Sequence, residues 1–306
     1  MREADIEADA PGAVGLLSLV NPESVYTVGA FRHVWRASPA DARRKAWCVE
    51  MDGDIVGWAF AGLMVETSEP GVGWVSVTVH PARREAGLGA SLLGAAEHHA
   101  AAIGVTRLLS FSRADDATAS FARAHGYEQT AANEVLVIDP RRVEQPAVPG
   151  DVEIRSFRQL AGNPRPIFDV DLAASLDMPG EVPFDAITYE HWLARFLHSP
   201  LLDHDASNLV TVDGLPATYT MLLHDRETHR GQNNGTGTVP EFRGRGLATL
   251  AKRASLKRAA QLGCTAVYTG NDATNAPMLA INRKLGYEVC GAELSWSKTL
   301  APTSAL

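Results

Sequence analysis

The sequence matches itself across its two halves, and this internal repeat constrains the fold more than any other feature. The first copy reads VSVTVHPARREAGLGASLL at 75–93 and ATASFARAHGYE at 117–128. The second reads TGTVPEFRGRGLATLA at 236–251 and APMLAINRKLGYE at 276–288. Arg84 and Arg243 are 159 positions apart, and Gly126 and Gly286 are 160 apart. Two landmarks with nearly the same offset indicate a duplicated domain of about 160 residues.

A boundary between the copies is visible in the composition. The stretch DPRRVEQPAVPGD at 139–151 carries three prolines and no apolar periodicity, which is typical of a linker. The following segment, DVEIRSF at 151–157, alternates apolar and polar residues like a strand. We therefore predict an N-terminal domain at 1–140, a linker at 141–150 and a C-terminal domain at 151–306.

Each copy shows the same order of elements. The patterns predict strands, then a crossover helix, a further strand and a last helix, which gives an α/β fold with a mixed sheet. In the first copy these are a hairpin at 45–65, a strand at 74–79, a helix at 88–103, a strand at 105–112 and a helix at 117–124. In the second copy they are a hairpin at 208–223, a helix at 246–261, a strand at 265–271 and a helix at 275–285.

Composition narrows the class of protein. Hydrophobic residues make up 45% and charged residues 21%, with a formal net charge of −8. This charge argues against nucleic acid or an anionic membrane as a partner of the whole chain. No apolar run approaches the roughly 18 residues of a membrane span, and the acidic N-terminus lacks the layout of a signal peptide. We expect a cytoplasmic protein with reduced, buried cysteines at 48, 264 and 290, and no metal site.

The most informative motif is a glycine-rich turn with a fixed arginine, which both copies carry between a strand and a helix. The turns are Arg84-Glu85-Ala86-Gly87-Leu88-Gly89 and Arg243-Gly244-Arg245-Gly246-Leu247-Ala248. The first turn of a helix has unpaired N–H groups and partial positive charge, so a phosphate binds there. Glycine lets a ligand approach the backbone closely. The motif therefore predicts an anion site in each copy.

This turn resembles the acyl-coenzyme A loop of the Gcn5-related N-acetyltransferases (GNAT). Neither GxxxxGK[ST] nor a dinucleotide-binding GxGxxG is present. In both copies a Gly-Tyr pair follows the arginine after 42 or 43 residues, which strengthens the resemblance. It covers nearly the whole chain and implies two tandem GNAT-like domains, each a mixed, mostly antiparallel sheet flanked by helices. The second copy is similar to the C-terminal half of mycothiol synthase-type acetyltransferases.

The resemblance implies acetyl-CoA as cofactor and a direct transfer to an amine. The pyrophosphate is expected on the loop amides and the pantetheine arm beside the preceding strand, where a backbone N–H polarises the thioester carbonyl. No metal and no covalent enzyme intermediate are implied. In the second copy the expected cofactor-binding residues are Thr238, Val239, Arg243, Gly244, Arg245, Gly246, Leu247, Ala248 and Asn275. In the first copy they are Val79, Arg84, Gly87 and Gly89.

The two copies differ where the family places a tyrosine, as general acid, four residues before the last glycine. That position is Ala122 in the first copy and Asn282 in the second. Asn282 can donate a hydrogen bond to the departing thiolate, or it merely packs locally, whereas alanine offers nothing polar. The family's usual asparagine is kept as Asn275 but is Asp115 in the first copy. We predict that the second copy is active, with Asn282 catalytic, and that the first is a silent cofactor-binding half or a structural relic.

No general base stands out in the sequence. The candidates are carboxylates and one histidine, and the sequence favours a solvated surface group over a catalytic base for each: Asp169, Asp171, Asp177, Glu181, His224 and Asp225. Glu241 in the loop is expected to face solvent. A basic stripe on the second crossover helix either approaches the ribose phosphate of coenzyme A or is a solvated face: Lys252, Arg253, Lys257 and Arg258.

Three functions fit these observations. The first is an N-acetyltransferase acting on the amine of a small molecule or short peptide. The second is a protein acetyltransferase acting on lysine or an amino terminus, which an acidic groove would favour. The third is an acyl-CoA-binding sensor without catalysis, which the missing tyrosines motivate. The sequence leaves the acceptor amine, the length of the acyl group and the oligomeric state open.

Overall fold

The chain, described over residues 1–176 and 180–300 by a computed structural model, forms two compact units. Unit 1 comprises Met1–Asn133 together with the described residues 292–300, and unit 2 comprises Glu134–Gly291 apart from the undescribed 177–179. Asp177, one of the candidate bases, lies outside the described residues.

The predicted helices and strands occur in the predicted order, together with further elements that the sequence patterns did not indicate. The strands are β1 (Arg2–Glu3), β2 (Lys45–Met51), β3 (Asp54–Leu63), β4 (Val72–Val79), β5 (Arg107–Arg113), β6 (Glu128–Ile138), β7 (Val152–Ser156), β8 (Asn208–Val212), β9 (Leu215–Asp225), β10 (Arg230–Thr238), β11 (Ala266–Asp272) and β12 (Glu288–Thr299). The α-helices are α1 (Ile6–Val20), α2 (Val28–Arg36), α3 (Leu88–Ala102), α4 (Asp116–Ala124), α5 (Arg165–Ser175), α6 (Tyr189–Trp192), α7 (Leu247–Gln261) and α8 (Ala276–Leu285).

Local sequence accounts for the hairpins and the helix ends. Asp52-Gly53 and Asp213-Gly214 have positive φ at both residues, as the two-residue turns of twisted hairpins require. Helices α3 and α7 each contain 15 residues and are followed by a glycine at positive φ, Gly104 and Gly263. The predicted α/β fold with mixed, mostly antiparallel sheets is confirmed, and so is the tandem arrangement.

In unit 1 the sheet runs β1-β2-β3-β4-β5 and continues into the C-terminal part of β12. All described pairs are antiparallel except β4 with β5. β12 pairs with β5 from Glu293 opposite Arg113 to Thr299 opposite Arg107. Trp296, which is buried, belongs to the core that α3 forms with the sheet. The last strand of the second sequence copy therefore completes the sheet of unit 1.

In unit 2 the sheet runs β7-β8-β9-β10-β11, with β6 next to β11. The pairs of β7 to β10 are antiparallel, and β10 with β11 is parallel. Residues 134–138 of β6 belong to this unit, and Leu136 and Ile138 are buried in its core with α7 and α8. Each unit thus contains strand residues from the other sequence copy, whereas the division into copies at the linker stays a prediction from the repeat.

Two expectations from composition can be compared with the structure. Cys48 and Cys264 are free and buried as expected, but the prediction was wrong for Cys290, which is exposed. Among the described residues, no helix combines the length and the apolar character that crossing a bilayer needs. No group of three or more potential metal ligands comes together in that part of the chain either.

Candidate active site

The two glycine loops have nearly the same backbone geometry. Gly87 and Gly246 are the N-caps of α3 and α7, both with φ of 77°, and neither helix has a side-chain cap. The arginine in each loop donates from Nε to the carbonyl at the end of the preceding strand. The distances are 3.4 Å from Arg84 to Val79 and 3.1 Å from Arg243 to Thr238. The arginines therefore hold the loop against the strand, and the first helical N–H groups are left open.

The glycines in these loops leave room for a ligand. A Cβ atom added to Gly87, Gly244 or Gly246 would meet no atom within 4 Å. In the second copy Gly244 has φ of 76°, and the first copy has Glu85 at φ of 66° in the same place. A side chain is strained in this conformation, and a carboxylate repels phosphate. These differences favour the second loop over the first as the predicted anion site.

A cleft opens next to each loop because the parallel strands pair over a short distance only. β4 pairs with β5 over Val72–Trp74, and β10 pairs with β11 over Arg230–Gln232. Beyond these residues the strands carry the predicted pantetheine-binding positions without a ladder partner on that side. In unit 1 a cavity of about 600 Å³ occupies this space, and its lining includes Val79, Arg84, Glu85, Gly87, Gly89 and Phe121.

Other predicted cofactor-binding residues are partly engaged within unit 2. The guanidinium of Arg245 pairs with Asp151 at 2.9 Å, and Leu247 is buried in the core. The Val239 N–H donates to the carbonyl of Ala217 at 3.0 Å. The Thr238 hydroxyl accepts a hydrogen bond from Thr218 at 2.9 Å. Arg245, Leu247 and Val239 therefore have contacts within the unit, and their predicted contacts with the cofactor stay a prediction.

The second helical residue is Gly89 in the first copy and Ala248 in the second. In the first copy, packing against a neighbouring ring restricts this position to a small residue. A Cβ atom on Gly89 would lie 3.2 Å from the ring of Phe121. Ala248 already carries that methyl group and is half-buried. Gly89 is thus needed for close contact between α3 and α4, in addition to any role in binding.

Asn275 and Asp115 are helix N-caps in the structure. The Asn275 Oδ1 accepts from the Met278 N–H at 3.3 Å, and Asp115 accepts from the N–H and the hydroxyl of Thr118, both at 2.9 Å. Both side chains thus stabilise the start of the helix after the cleft strand. The predicted contact of Asn275 with the cofactor stays a prediction.

Asn282 is fully buried on α8, in the core of unit 2. Its Nδ2 donates to Asn271 Oδ1, and its Oδ1 has no hydrogen-bond partner among the residues that the structure describes. A buried amide oxygen without a partner costs free energy, so its retention needs an explanation beyond packing. The catalytic role of Asn282 stays a prediction.

Of the candidate bases, Asp171 has the most elaborate surroundings. It is buried and accepts hydrogen bonds from Tyr219 at 2.5 Å, Trp192 at 2.7 Å and Ser175 at 3.3 Å. Burial raises its pKa, and these donors oppose that shift. The Tyr219 hydroxyl lies 3.0 Å from the position of a Cβ on Gly235 of β10. Asp171 is therefore not the solvated surface charge that the sequence suggested, although its network borders the cleft strand.

His224 and Asp225 lie away from the loop. Along β9, His224 is opposite Gly231 whereas Thr218 is opposite Thr238, a separation of six residues or about 20 Å. His224 is buried, and its Nδ1 lies 3.1 Å from Asp203. Burial raises the pKa of Asp203, but hydrogen bonds from His224 and the backbone and the charge of Arg226 outweigh it, so the pKa is lowered. This buried pair therefore lies at the end of the sheet that is distant from the glycine loop.

The remaining acidic candidates are simpler. Asp169 is exposed and accepts from Arg165 at 2.7 Å, and Glu181 is half-buried. Glu241 is exposed, as expected.

In the basic stripe on α7, the sequence analysis predicted the exposure of one residue, Lys252, wrongly. Lys252 is 1% exposed, and its Nζ donates to Asn233 Oδ1 at 2.9 Å and lies 5.2 Å from the Tyr287 ring. Burial lowers its pKa to about 7. The solvated-face interpretation was therefore wrong for Lys252. The sequence did contain an indication, because the equivalent position of the first copy, 159 residues earlier, is the apolar Leu93.

Comparisons with known proteins agree with this geometry. A model of the acetyltransferase (GNAT) family matches residues 16–127 and 174–287. A mycothiol acetyltransferase of Nocardioides sp. is 29% identical over 231 residues, covering 70% of this chain and 76% of that protein. Two solved structures share the fold at 20% identity. One is a GCN5-related N-acetyltransferase from Sphaerobacter thermophilus, with a TM-score of 0.74 and coverage of 99% and 96%.

The other is a tandem GNAT protein from the clavulanic acid biosynthesis pathway, with a TM-score of 0.75. The match covers 99% of this chain and 98% of that protein. The family model alone accounts for more than half of the sequence, once in each copy. With two glycine loops, two splayed strand pairs and these matches, the chain belongs to the GNAT acetyltransferase family.

Proposed function

We propose that the protein transfers an acetyl group from acetyl-CoA to the primary amine of a small molecule or short peptide, in a ternary complex. One observation carries this proposal. Helix α7 begins directly after Gly244 and Gly246 without a side-chain cap, and the adjacent strand β10 is not paired with β11 beyond Gln232. An anionic head group fits the open N–H groups, and an extended arm fits the free strand edge.

The chain's own residues would act mainly by positioning. The amides of 244–248 would hold the pyrophosphate, and Arg243 keeps the loop against Thr238. The backbone near Thr236–Val239 would hold the pantetheine arm and orient the thioester carbonyl. Acetyl-CoA, when bound, supplies the activated acyl group. The acceptor amine must arrive neutral, so the site must also remove one proton from it.

The second copy is the proposed active half, and the duplication provides an internal comparison in support. The cross-strand pair beside the thioester position is Val77 with Ala59 in unit 1 and Thr236 with Thr220 in unit 2. On the last helix, Ala122 corresponds to the buried Asn282. The two threonine hydroxyls are 2.7 Å apart and bond to each other, whereas the buried Asn282 has an amide oxygen without a partner among the described residues, which lowers stability. The first copy folds with apolar side chains at all three positions. A role of Thr220, Thr236 and Asn282 in acyl transfer would account for the polar side chains in the second copy.

The first copy is proposed to bind the cofactor without catalysing transfer. Its cavity of about 600 Å³ is large enough for the arm of such a ligand, and its loop arginine is in place. Glu85 in the loop would weaken this site relative to the second. The cytoplasmic location expected from the sequence also remains part of the proposal.

Calorimetric titration with acetyl-CoA tests both loops. Gly246→Asp should abolish binding to the second copy, because the new carboxylate fills the open space of the turn and repels phosphate. Gly87→Asp is the matched control in the first copy, with the same φ and the same open surroundings. Loss of one site with each variant is the expected result. An unchanged titration in Gly246→Asp would refute the assignment of the second loop, and no binding by the unaltered protein would refute the proposed cofactor.

The acceptor is then sought by thiol release from acetyl-CoA with amino sugars, amino acids, polyamines and lysine-containing peptides. Repeated turnover with a small amine supports the proposal, and turnover with peptides only would favour a protein acetyltransferase. Binding without turnover would favour a sensor. In the same assay Asn282→Ala should lower kcat more than it raises the KM for acetyl-CoA, and an unchanged rate would leave Asn282 a packing residue.

A further inference from the structure

Lys252 is a buried cation at a position where the same fold accepts leucine. α3 and α7 have equal lengths and start at equivalent loops, so Leu93 and Lys252 occupy the same place on their helices. Leu93 is buried in the core of unit 1, and Lys252 is 1% exposed in unit 2. Moving an ammonium out of water is costly unless its charge is compensated. The lysine therefore needs a reason other than fold stability.

The contacts of Lys252 lead to one residue on the cleft strand. Its Nζ donates to Asn233 Oδ1 at 2.9 Å, and this oxygen also accepts from the Thr236 hydroxyl at 3.1 Å. The Nδ2 of Asn233 donates to Thr220 Oγ1 at 2.8 Å and to the Met221 carbonyl at 3.0 Å. The amide of Asn233 thus connects the helix to both β9 and β10. Without Lys252, the Thr236 hydroxyl would be the one remaining donor to the Asn233 oxygen among the described residues.

Asn233 stands at an irregularity of β10 that unit 1 does not have. The pairing of β10 with β9 shifts between Asn233 and Gly235, whereas β4 pairs with β3 from Gly73 to Val79 without a shift. A bulge of this kind re-aims the backbone groups next to it. Met221 is opposite Gly235, so the Asn233 side chain bonds the partner strand directly across from the bulge.

We propose that Lys252 is a positioning residue for acyl transfer: through Asn233 it fixes the bulge of β10 and the backbone of Gly235 and Thr236. This inference rests on the proposed function, which puts the thioester beside those two residues. Lys252 keeps β10 in one geometry, because both the oxygen and the nitrogen of the Asn233 side chain are then hydrogen bonded.

The test compares Lys252→Leu with Lys284→Leu, which removes an exposed lysine from α8 of the same unit. With any amine that is turned over, Lys252→Leu should lower kcat by about tenfold or more and change the KM for acetyl-CoA by less than about threefold. Asn233→Leu should give a similar loss, and the double variant should add little, because both act through one contact. Wild-type kcat in Lys252→Leu, or simple additivity, would overturn the proposal.

A second measurement decides the matter without any turnover. In the unliganded protein, amide hydrogen exchange over residues 232–238 should be faster in Lys252→Leu and unchanged in Lys284→Leu, while the unfolding temperature does not fall. Lys252→Met replaces the leucine variant if that one does not fold. If the unaltered protein turns over no amine, the proposed function fails, yet the exchange rates still show whether Lys252 holds the bulge. Unchanged exchange in both variants would overturn the inference by itself.

Discussion

At the scale of single residues, the sequence predicted the conformation of the glycine loops but not the burial of the polar groups in unit 2. The loop residues were predictable, because glycine next to a fixed arginine has a direct physical meaning. The pattern of α7 alone did not predict the burial of Lys252, since a lysine among other basic residues is typical of a solvated helix face, and only the comparison with Leu93 of the first copy indicates it. The contacts of its ammonium with Asn233 and Tyr287 come from residues outside its own helix, and the pattern of the helix does not include them.

Lys252 should make stability depend on pH in a defined window. Its pKa is about 7 in the folded protein against 10.5 normally, so between these values the unfolded chain binds more protons. The stability of the unaltered protein therefore rises from pH 7 towards pH 10.5, as the penalty for burying the cation disappears.

The measurement is the unfolding temperature of Lys252→Leu minus that of the unaltered protein. This difference should be largest at pH 7 and shrink by pH 10, because groups common to both proteins cancel. A difference that does not vary over this range would mean that Lys252 titrates normally and is not confined as described.

At the scale of elements, the repeat made the hairpins and the helices α3, α4, α7 and α8 predictable, down to the glycines that follow α3 and α7. Helices α1, α2, α5 and α6 lie outside the repeated motifs and were not predicted. The sequence did not predict which sheet the strands β6 and β12 would join. β6 and β12 follow the same Gly-Tyr landmark, and nothing in their patterns says which sheet each one joins. That choice is made by side chains such as Trp296 and Leu136, which are buried in cores assembled from distant segments.

The loop before α3 should improve when its strain is removed. Glu85 has φ of 66°, where the second copy has glycine. Glu85→Gly should raise stability by about 1 kcal/mol or less, because relief of the left-handed strain is partly offset by a more flexible unfolded chain. It should also tighten acetyl-CoA binding by the first copy, since one negative charge leaves the anion site.

Chemical denaturation and calorimetry of Glu85→Gly check this prediction, with Glu85→Gln as the control that removes the charge and keeps the strain. A gain in affinity shared by both variants assigns the effect to charge. No gain in either would argue against cofactor binding at this loop.

At the scale of the whole molecule, the two sequence copies are not independent parts. Unit 1 contains residues 292–300, where the Trp296 Nε1 donates to Ser112 at 2.8 Å and Lys298 pairs with Glu97 at 2.7 Å. Unit 2 in turn contains Leu136 and Ile138. Cutting the chain in the linker would therefore remove core residues from both units.

A fragment of residues 1–150 should fail to unfold cooperatively, because it lacks Trp296 and the strand that covers β5. The matched control is residues 1–133 joined to 292–300 by a flexible linker, which restores that strand. Thermal unfolding followed by tryptophan fluorescence compares the two. A sharp transition in the 1–150 fragment would show that the exchanged strand is dispensable.

The membership of 292–300 in unit 1 also sets the order of events during synthesis. A ribosome adds about 5–20 residues per second, so roughly 8–30 s separate the emergence of residue 133 from that of residues 292–300. During this interval the N-terminal sheet has an open edge at β5, which invites pairing with other chains. A chaperone that binds nascent chains would have its longest opportunity here, and slow translation of the second half would prolong the exposure.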